Sequence, residues 1–264
     1  MSDDLVCLDG RLIPAVNAFI PVTDEGFLRG DGVFEVVRVY DGQAFALHQH
    51  LERLEQSAAN LRLELPVDVA QIRSEAEDLL SERGGRDFNG LLRIVVTRHG
   101  HRLLMTEPLP RAARTARLCF VTYSPSRVLD GVKSLSYAAN MLASRLARER
   151  GFDEALLTTP HGRVLEAPTS SLFFVEPNGE LYTPPLEDHI LASITRQLVI
   201  ELAGAVERPL TVDGALETRE AFLTSTTREV QPVSAIEDHE LAAPGERTMV
   251  ATELLREHIR SALS

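Results

Sequence analysis

The sequence predicts an α+β protein of two domains, and three observations carry that expectation. Strand-like and helix-like stretches are mixed without strict βαβ alternation. One turn-rich stretch without periodicity, SPSRVLDG at 124–131, interrupts them and places a linker at 121–130, between domains 1–120 and 131–264. A chain of 264 residues that is 44% hydrophobic also has enough apolar side chains for two ordinary cores.

Taken in order, LVCLDGRLIP reads as a short hairpin turning at Asp9-Gly10. GVFEVVRVYDGQAFAL repeats the signal at Asp41-Gly42, because the two-residue turn that joins twisted strands favours Asp-Gly. HQHLERLEQSAANLRL spaces Leu51, Leu54, Ala58 and Leu61 along one face of a helix over 48–62. A second helix covers 68–83 and stops at Gly84-Gly85. GLLRIVVTR and ARLCFVTY are strands, and HGHRLLMTEP after the first of them reads as a loop. Past the linker, GVKSLS is extended and 138–150 is helical. EALLTT, SSLFFVE and AFLTST are strands, a helix begins near Thr195, and another spans 247–262.

Charge and motifs remove several function classes. A net charge of −12 without a basic stripe argues against nucleic acid and anionic membrane as partners. The N-terminal MSDDLVCLDG lacks the basic and apolar regions of a signal peptide, and no apolar run reaches membrane-spanning length. Cys7 and Cys119 are distant and unpatterned, which points to a reducing, cytoplasmic compartment. His48/His50 and His99/His101 form two H-x-H pairs, but no acidic third ligand follows at a recognisable spacing. All four read as solvated or capping histidines, and no metal is expected. RGDGVFE lacks the third glycine of a dinucleotide fingerprint, and neither a phosphate-binding G-x-x-x-x-G-K-[ST] nor a G-x-S-x-G is present.

One composition fact stands out. Of 27 Lys+Arg, only Lys133 is lysine. Either it survived a drift toward arginine by accident, or it was kept for what arginine cannot do: lose its proton and form an imine. An imine to pyridoxal phosphate needs donors for a phosphate, a carboxylate for the pyridine nitrogen and a cation for a substrate carboxylate. ILASITRQLVIELAG places free backbone N–H groups of Ile194 and Thr195 at a helix start. LTSTTREV places Ser225, Thr226 and Thr227 at a strand end. Each also reads as an ordinary helix cap or a hydroxyl-rich strand end. GRVLEAPTSSLFFV sets Glu166 in a near-apolar stretch, where a buried carboxylate needs a partner or a task. Composition alone leaves Arg53 a surface cation.

Together DEGFLRGDGVFEVVRVYDG, HLERL, VKSLSYAANMLASRLARERGFDEALL, GRVLEAPTSSLFFV, ILASITRQLV and LTSTTREVQPV resemble the fold-type IV pyridoxal-phosphate enzymes. That family includes D-amino-acid aminotransferase, branched-chain aminotransferase and aminodeoxychorismate lyase. The resemblance runs in order over nearly the whole chain. It implies two α/β domains with the cofactor in the cleft between them, and a homodimer. It implies Lys133 as the Schiff-base lysine and proton shuttle, Glu166 at the pyridine N–H and Arg53 on the phosphate. Ile194, Thr195, Ser225 and Thr226 complete the phosphate cup, and Leu191 packs on the ring. Ser193 stands where family members have glycine.

Within the family, Glu35 after the aromatic and TSTTREVQPV resemble the D-amino-acid branch more than the lyase. That branch has tyrosine where this chain has Phe34, and its arginine and histidine after VTR are differently spaced here. Arg29, Arg98, His101 and Arg102 are the open candidates for holding a substrate carboxylate. The expected activity is transamination from a D-amino acid or (R)-amine to a keto acid such as 2-oxoglutarate or pyruvate. The competing readings are aminodeoxychorismate lyase, branched-chain L-amino-acid aminotransferase, and a cofactor-free binding module in which Lys133 is structural.

Overall fold

The computed structural model describes residues 4–111 and 113–264. Contacts divide the chain into two compact units. One runs to Pro110 and takes back Gly131–Tyr137, and the other holds Arg111–Asp130 and Ala138–Ala262. The division therefore differs from the expected boundary at 121–130. The segment holding Lys133 belongs with the first unit because its backbone pairs there: Phe34 N–H donates to the Lys133 carbonyl at 3.0 Å and Leu135 N–H to Gly32 O at 2.9 Å.

The first unit contains β1 (Leu5–Leu8), β2 (Arg11–Pro14), α1 (Glu25–Arg29), β3 (Gly32–Tyr40), β4 (Gln43–Ala44), α2 (Leu47–Asn60), α3 (Val69–Glu82), β5 (Gly90–Thr97) and β6 (Arg102–Glu107). Its six-stranded antiparallel sheet has the order β2-β1-β6-β5-β3-β4. Both expected hairpin turns form with positive φ at each central residue, 51° and 82° at Asp9-Gly10 and 46° and 76° at Asp41-Gly42. The stretch read as a loop after VTR is corrected: only 98–101 turns, and β6 pairs along β5 from Arg102 onward.

Period two along β3 sends Val33, Val37 and Val39 into a core with Leu51, Leu54 and Ala58 of α2 and Ile72, Ala76 and Leu79 of α3. Glu35 lies on that same face, and its burial has to be compensated. Gly32 is required where 133–135 comes alongside, since a Cβ there would lie 2.5 Å from Val96 O and 2.6 Å from Leu135 Cδ1.

The second unit contains β7 (Ala116–Thr122), α4 (Ala138–Glu149), β8 (Glu154–Thr158), β9 (Arg163–Val164), β10 (Ser171–Val175), β11 (Leu181–Thr183), α5 (Ile194–Ala203), β12 (Val206–Glu207), β13 (Leu210–Thr211), α6 (Val212–Ala215), β14 (Glu220–Ser225), β15 (Glu229–Ile236), β16 (His239–Glu240) and α7 (Glu246–Ala262). Its sheet runs β12-β11-β10-β14-β15-β7-β8-β9-β13, with β16 on β15. β7 pairs parallel with both β8 and β15, which draws residues 116–122 into this unit. Phe173 and Phe222 stack at 5.0 Å between neighbouring strands. Ala143 and Ala147 bring α4 onto Cys119, Ala155 and Leu157, small side chains allowing close helix-on-sheet approach.

Candidate functional site

Lys133 is held from both sides of its backbone. Its N–H donates to Ser57 Oγ at 3.1 Å, its carbonyl accepts from Phe34, and Val33 bridges Ser134. The side chain is half-buried, with Nζ 4.5 Å from the Phe34 ring centroid and 6.0 Å from that of Tyr137. The two rings meet edge to face at 5.3 Å. An ammonium gains from an aromatic face, while an apolar wall also lowers the cost of the neutral amine.

Behind Phe34, on the opposite face of β3, Glu35 is fully buried. Arg53 forks onto it from α2, Nε to Oε1 at 2.7 Å and Nη2 to Oε2 at 2.8 Å, and His50 Nδ1 reaches Oε2 at 2.8 Å. Burial pushes the carboxyl up, but the Arg53 hydrogen bond and charge, then His50, outweigh it and bring its pKa to about 2. Burial lowers His50 against the pull of Glu35. His50 is thus a buried carboxylate partner, which corrects its reading as a solvated or capping histidine. The helical period carried the signal, because His50 shares the face of Leu47, Leu51 and Leu54.

In the second unit Glu166 is half-buried. Oε1 accepts the Leu191 N–H at 3.0 Å, and Ser171 Oγ stands 3.5 Å from Oε2. Asn140 donates to Pro168 O at 2.8 Å and so ties the Glu166 loop to α4. Tyr123, which the sequence did not single out, lies within the field of Glu166: burial first, then that carboxylate, raises its phenol pKa. Ser193 caps α5, its hydroxyl accepting from Arg196 N–H at 3.3 Å. The helix supplies no acceptors of its own for the N–H groups of Ile194 and Thr195. Ser225 is buried at the end of β14, and Thr226 is half-buried in the turn that follows.

The remaining sequence candidates have partners within the first unit. Arg98 forks onto Asp31 at 3.0 Å and donates to the Leu61 and Arg62 carbonyls. Arg102 is buried against Glu75 at 2.6 and 2.7 Å, His101 meets Asp9 at 3.0 Å, and the exposed Arg29 pairs with Glu25 on α1. None of these contacts joins them to Lys133. Tyr137 was the residue the sequence reading missed beside it, legible only as the aromatic four positions after the lysine.

Each unit, taken by itself, holds groups of the kinds that pyridoxal phosphate needs. An α-helix start with unmatched N–H groups suits a phosphate. Two buried hydroxyls, Ser170 Oγ and Thr224 Oγ1, have no hydrogen-bond partner among the described residues, and Thr224 is the register partner of Ser171 beside Glu166. A primary amine stands against an aromatic ring. No group of three or more metal-ligating side chains occurs among the described residues, and no helix there is long and apolar enough to cross a membrane.

Comparisons with known proteins agree with this chemistry. The Amino-transferase class IV family profile matches residues 32–236. The chain is 34% identical over 255 residues to a putative branched-chain-amino-acid aminotransferase of Methanocaldococcus jannaschii, covering 88% of each. It is 32% identical over 279 residues to a D-alanine aminotransferase of Bacillus licheniformis, covering 97% of each. The PLP-bound form of a hypothetical aminotransferase from Mycobacterium tuberculosis superposes with a TM-score of 0.86 at 27% identity, covering 97% of this chain and 99% of that one.

Proposed function

We propose a specific transamination from one premise: this chain belongs to the class IV aminotransferase family and is a pyridoxal-phosphate-dependent aminotransferase. Its donors are D-amino acids or (R)-amines and its acceptor a keto acid such as 2-oxoglutarate or pyruvate. It acts as a cytoplasmic homodimer. The observation that carries the chemistry is the Lys133 amine held against Phe34 by a backbone hydrogen-bonded on both sides.

Bound pyridoxal phosphate supplies an aldehyde for the substrate amine and a ring that takes up the electrons left when the α-proton departs. With that group bound, Lys133 is the residue that would take the proton from the substrate Cα and return it on the cofactor side. The Glu166 carboxylate, oriented by the Leu191 N–H, holds the proton on the pyridine nitrogen. Arg53 grips the phosphate, with Glu35 and His50 fixing its guanidinium. The N–H groups of Ile194 and Thr195 and the hydroxyls of Ser225 and Thr226 complete the phosphate cup, and Leu191 packs on the ring. Phe34 and Tyr137 wall the substrate side, where Phe34 lacks a hydroxyl for a carboxylate and so favours a broader donor range. Arg29, Arg98, His101 and Arg102 are the carboxylate-binding candidates, in competition with the ion pairs they already make.

A second reading, transfer from branched-chain L-amino acids, is supported by the likeness to the Methanocaldococcus jannaschii protein. A donor panel of both enantiomers, followed by the cofactor absorbance of the half-reaction, separates them. Conversion by D-amino acids or (R)-amines supports the first reading, and conversion by branched-chain L-amino acids alone supports the second. Pyruvate release from aminodeoxychorismate without amino transfer would refute both.

A further inference from the structure

We propose that the ion pair of half-buried Arg228 with buried Glu154 is a positioning device for the turn that carries Thr226, and through it for the cofactor phosphate. The inference rests on the reading of Thr226 as a phosphate ligand given above.

The turn 225–228 closes where Ser225 pairs with Glu229 across β14 and β15. Arg228 N–H donates to Ser225 O at 3.2 Å and Ser225 Oγ at 3.3 Å, and Ser225 Oγ lies 3.2 Å from Thr227 Oγ1. These bonds shape the turn but do not aim it. The side chain of Arg228 does, by reaching away from the turn to two fixed points. One guanidinium nitrogen donates to Glu154 Oε2 at 2.8 Å, and the other donates to Gln231 Oε1. Glu154 opens β8 and is buried, its second oxygen accepting the Ser144 hydroxyl of α4 at 2.7 Å. Gln231 is tied in turn to Ala113 O at 2.8 Å. The turn is therefore anchored to a helix and two strands by a charge pair whose carboxylate side is shielded from water.

Many sequences can close a strand pair, and a hydroxyl-rich turn left in solvent would need no buried carboxylate on β8, two strands beyond β15 in the sheet. A hydroxyl that must meet a phosphate gains affinity when its freedom is already spent before binding. Arginine is the residue type for this, since its planar guanidinium fixes two acceptors in one plane, whereas a lysine ammonium is a compact, freely rotating charge.

The test uses the full-length chain stripped of cofactor, titrated with pyridoxal phosphate and separately with pyridoxal, and followed by absorbance. Melting of the cofactor-free chain is recorded alongside. Arg228→Lys is expected to weaken pyridoxal phosphate about tenfold and pyridoxal less than about twofold, with the melting transition nearly unmoved. The double variant Glu154→Gln/Arg228→Gln leaves no buried charge, guards against a single exchange that fails to fold, and must show the same phosphate-selective loss. Equal weakening of both compounds, or none of pyridoxal phosphate, overturns the inference. A parent chain that takes up neither compound would overturn the cofactor reading beneath it, and the inference with it.

Discussion

Glu35 in the first unit and Glu166 in the second are the two carboxylates that the proposed function uses, and their own surroundings treat them in opposite ways. Glu35 is fully buried and answered by the fork of Arg53 and the ring of His50. Glu166 is half-buried and takes a backbone N–H and a distant hydroxyl among its partners. A buried carboxylate locked to cations costs much to disturb and holds other groups still. One at the end of a loop, with a backbone N–H on one oxygen, is held in place without the double fork that locks Glu35. Glu35 therefore belongs to the framework of the proposed site and Glu166 to its chemistry.

The largest effect is expected at neither. Lys133→Arg keeps the charge but cannot become a neutral amine or form an imine, so transamination falls by at least about a thousandfold while folding is unchanged. Normal turnover in that variant would contradict the proton-shuttle role. Glu35→Gln leaves Arg53 without its paired charge, and urea unfolding should record a loss of about 3–5 kcal/mol. Glu166→Gln should change unfolding little and lower kcat by about 10²–10³. If the two glutamine variants exchanged these outcomes, the contrast between the carboxylates would be reversed.

Acid sharpens the same contrast. Glu35 has its pKa lowered from 4.5 to about 2 in the folded chain, so its stabilisation is complete above the unfolded value and disappears as pH falls from about 5 to about 2. That window carries about 3 kcal/mol by linkage, measurable as urea midpoints across pH. His50 is also depressed, so acidification charges it more readily in the unfolded chain and the loss begins below its ordinary value of 6.5. Glu35→Gln should flatten the acid limb. An acid limb as steep as the parent's would separate Glu35 from acid stability. The smallest effect is Arg29→Ala, which breaks an exposed pair worth less than about 1 kcal/mol. A raised KM for the keto acid with unchanged unfolding would assign Arg29 to the substrate instead.

Helices and hairpins were legible because their signals are local. The two Asp-Gly turns, the α2 stripe at Leu51, Leu54 and Ala58, and the stop after α3 at Gly84-Gly85 all lie within one window of chain. β15 was not legible, because Pro232 sits inside it opposite Phe222 and proline argues against an inner strand. β6 was obscured by Arg102, a charge whose burial is offset chiefly by Glu75, 27 residues away on α3. In the proposed site, the lone lysine raised imine chemistry beside an accident of composition, and the α5 start read more readily as an ordinary helix cap. Arg53 came only from family resemblance, and its tie to Glu35 needed the sheet and helix packed together. The return of 131–137 to the first unit depends on backbone pairing that no periodicity records.

The central claim is that the sole lysine side chain carries the cofactor. Borohydride reduction of the holoenzyme, digestion and peptide mass measurement test it directly. A pyridoxyl mass on the peptide containing Lys133, and none in Lys133→Arg, is the expected result. A label confined to the N-terminal amine, or no label in an enzyme still turning over, would contradict it.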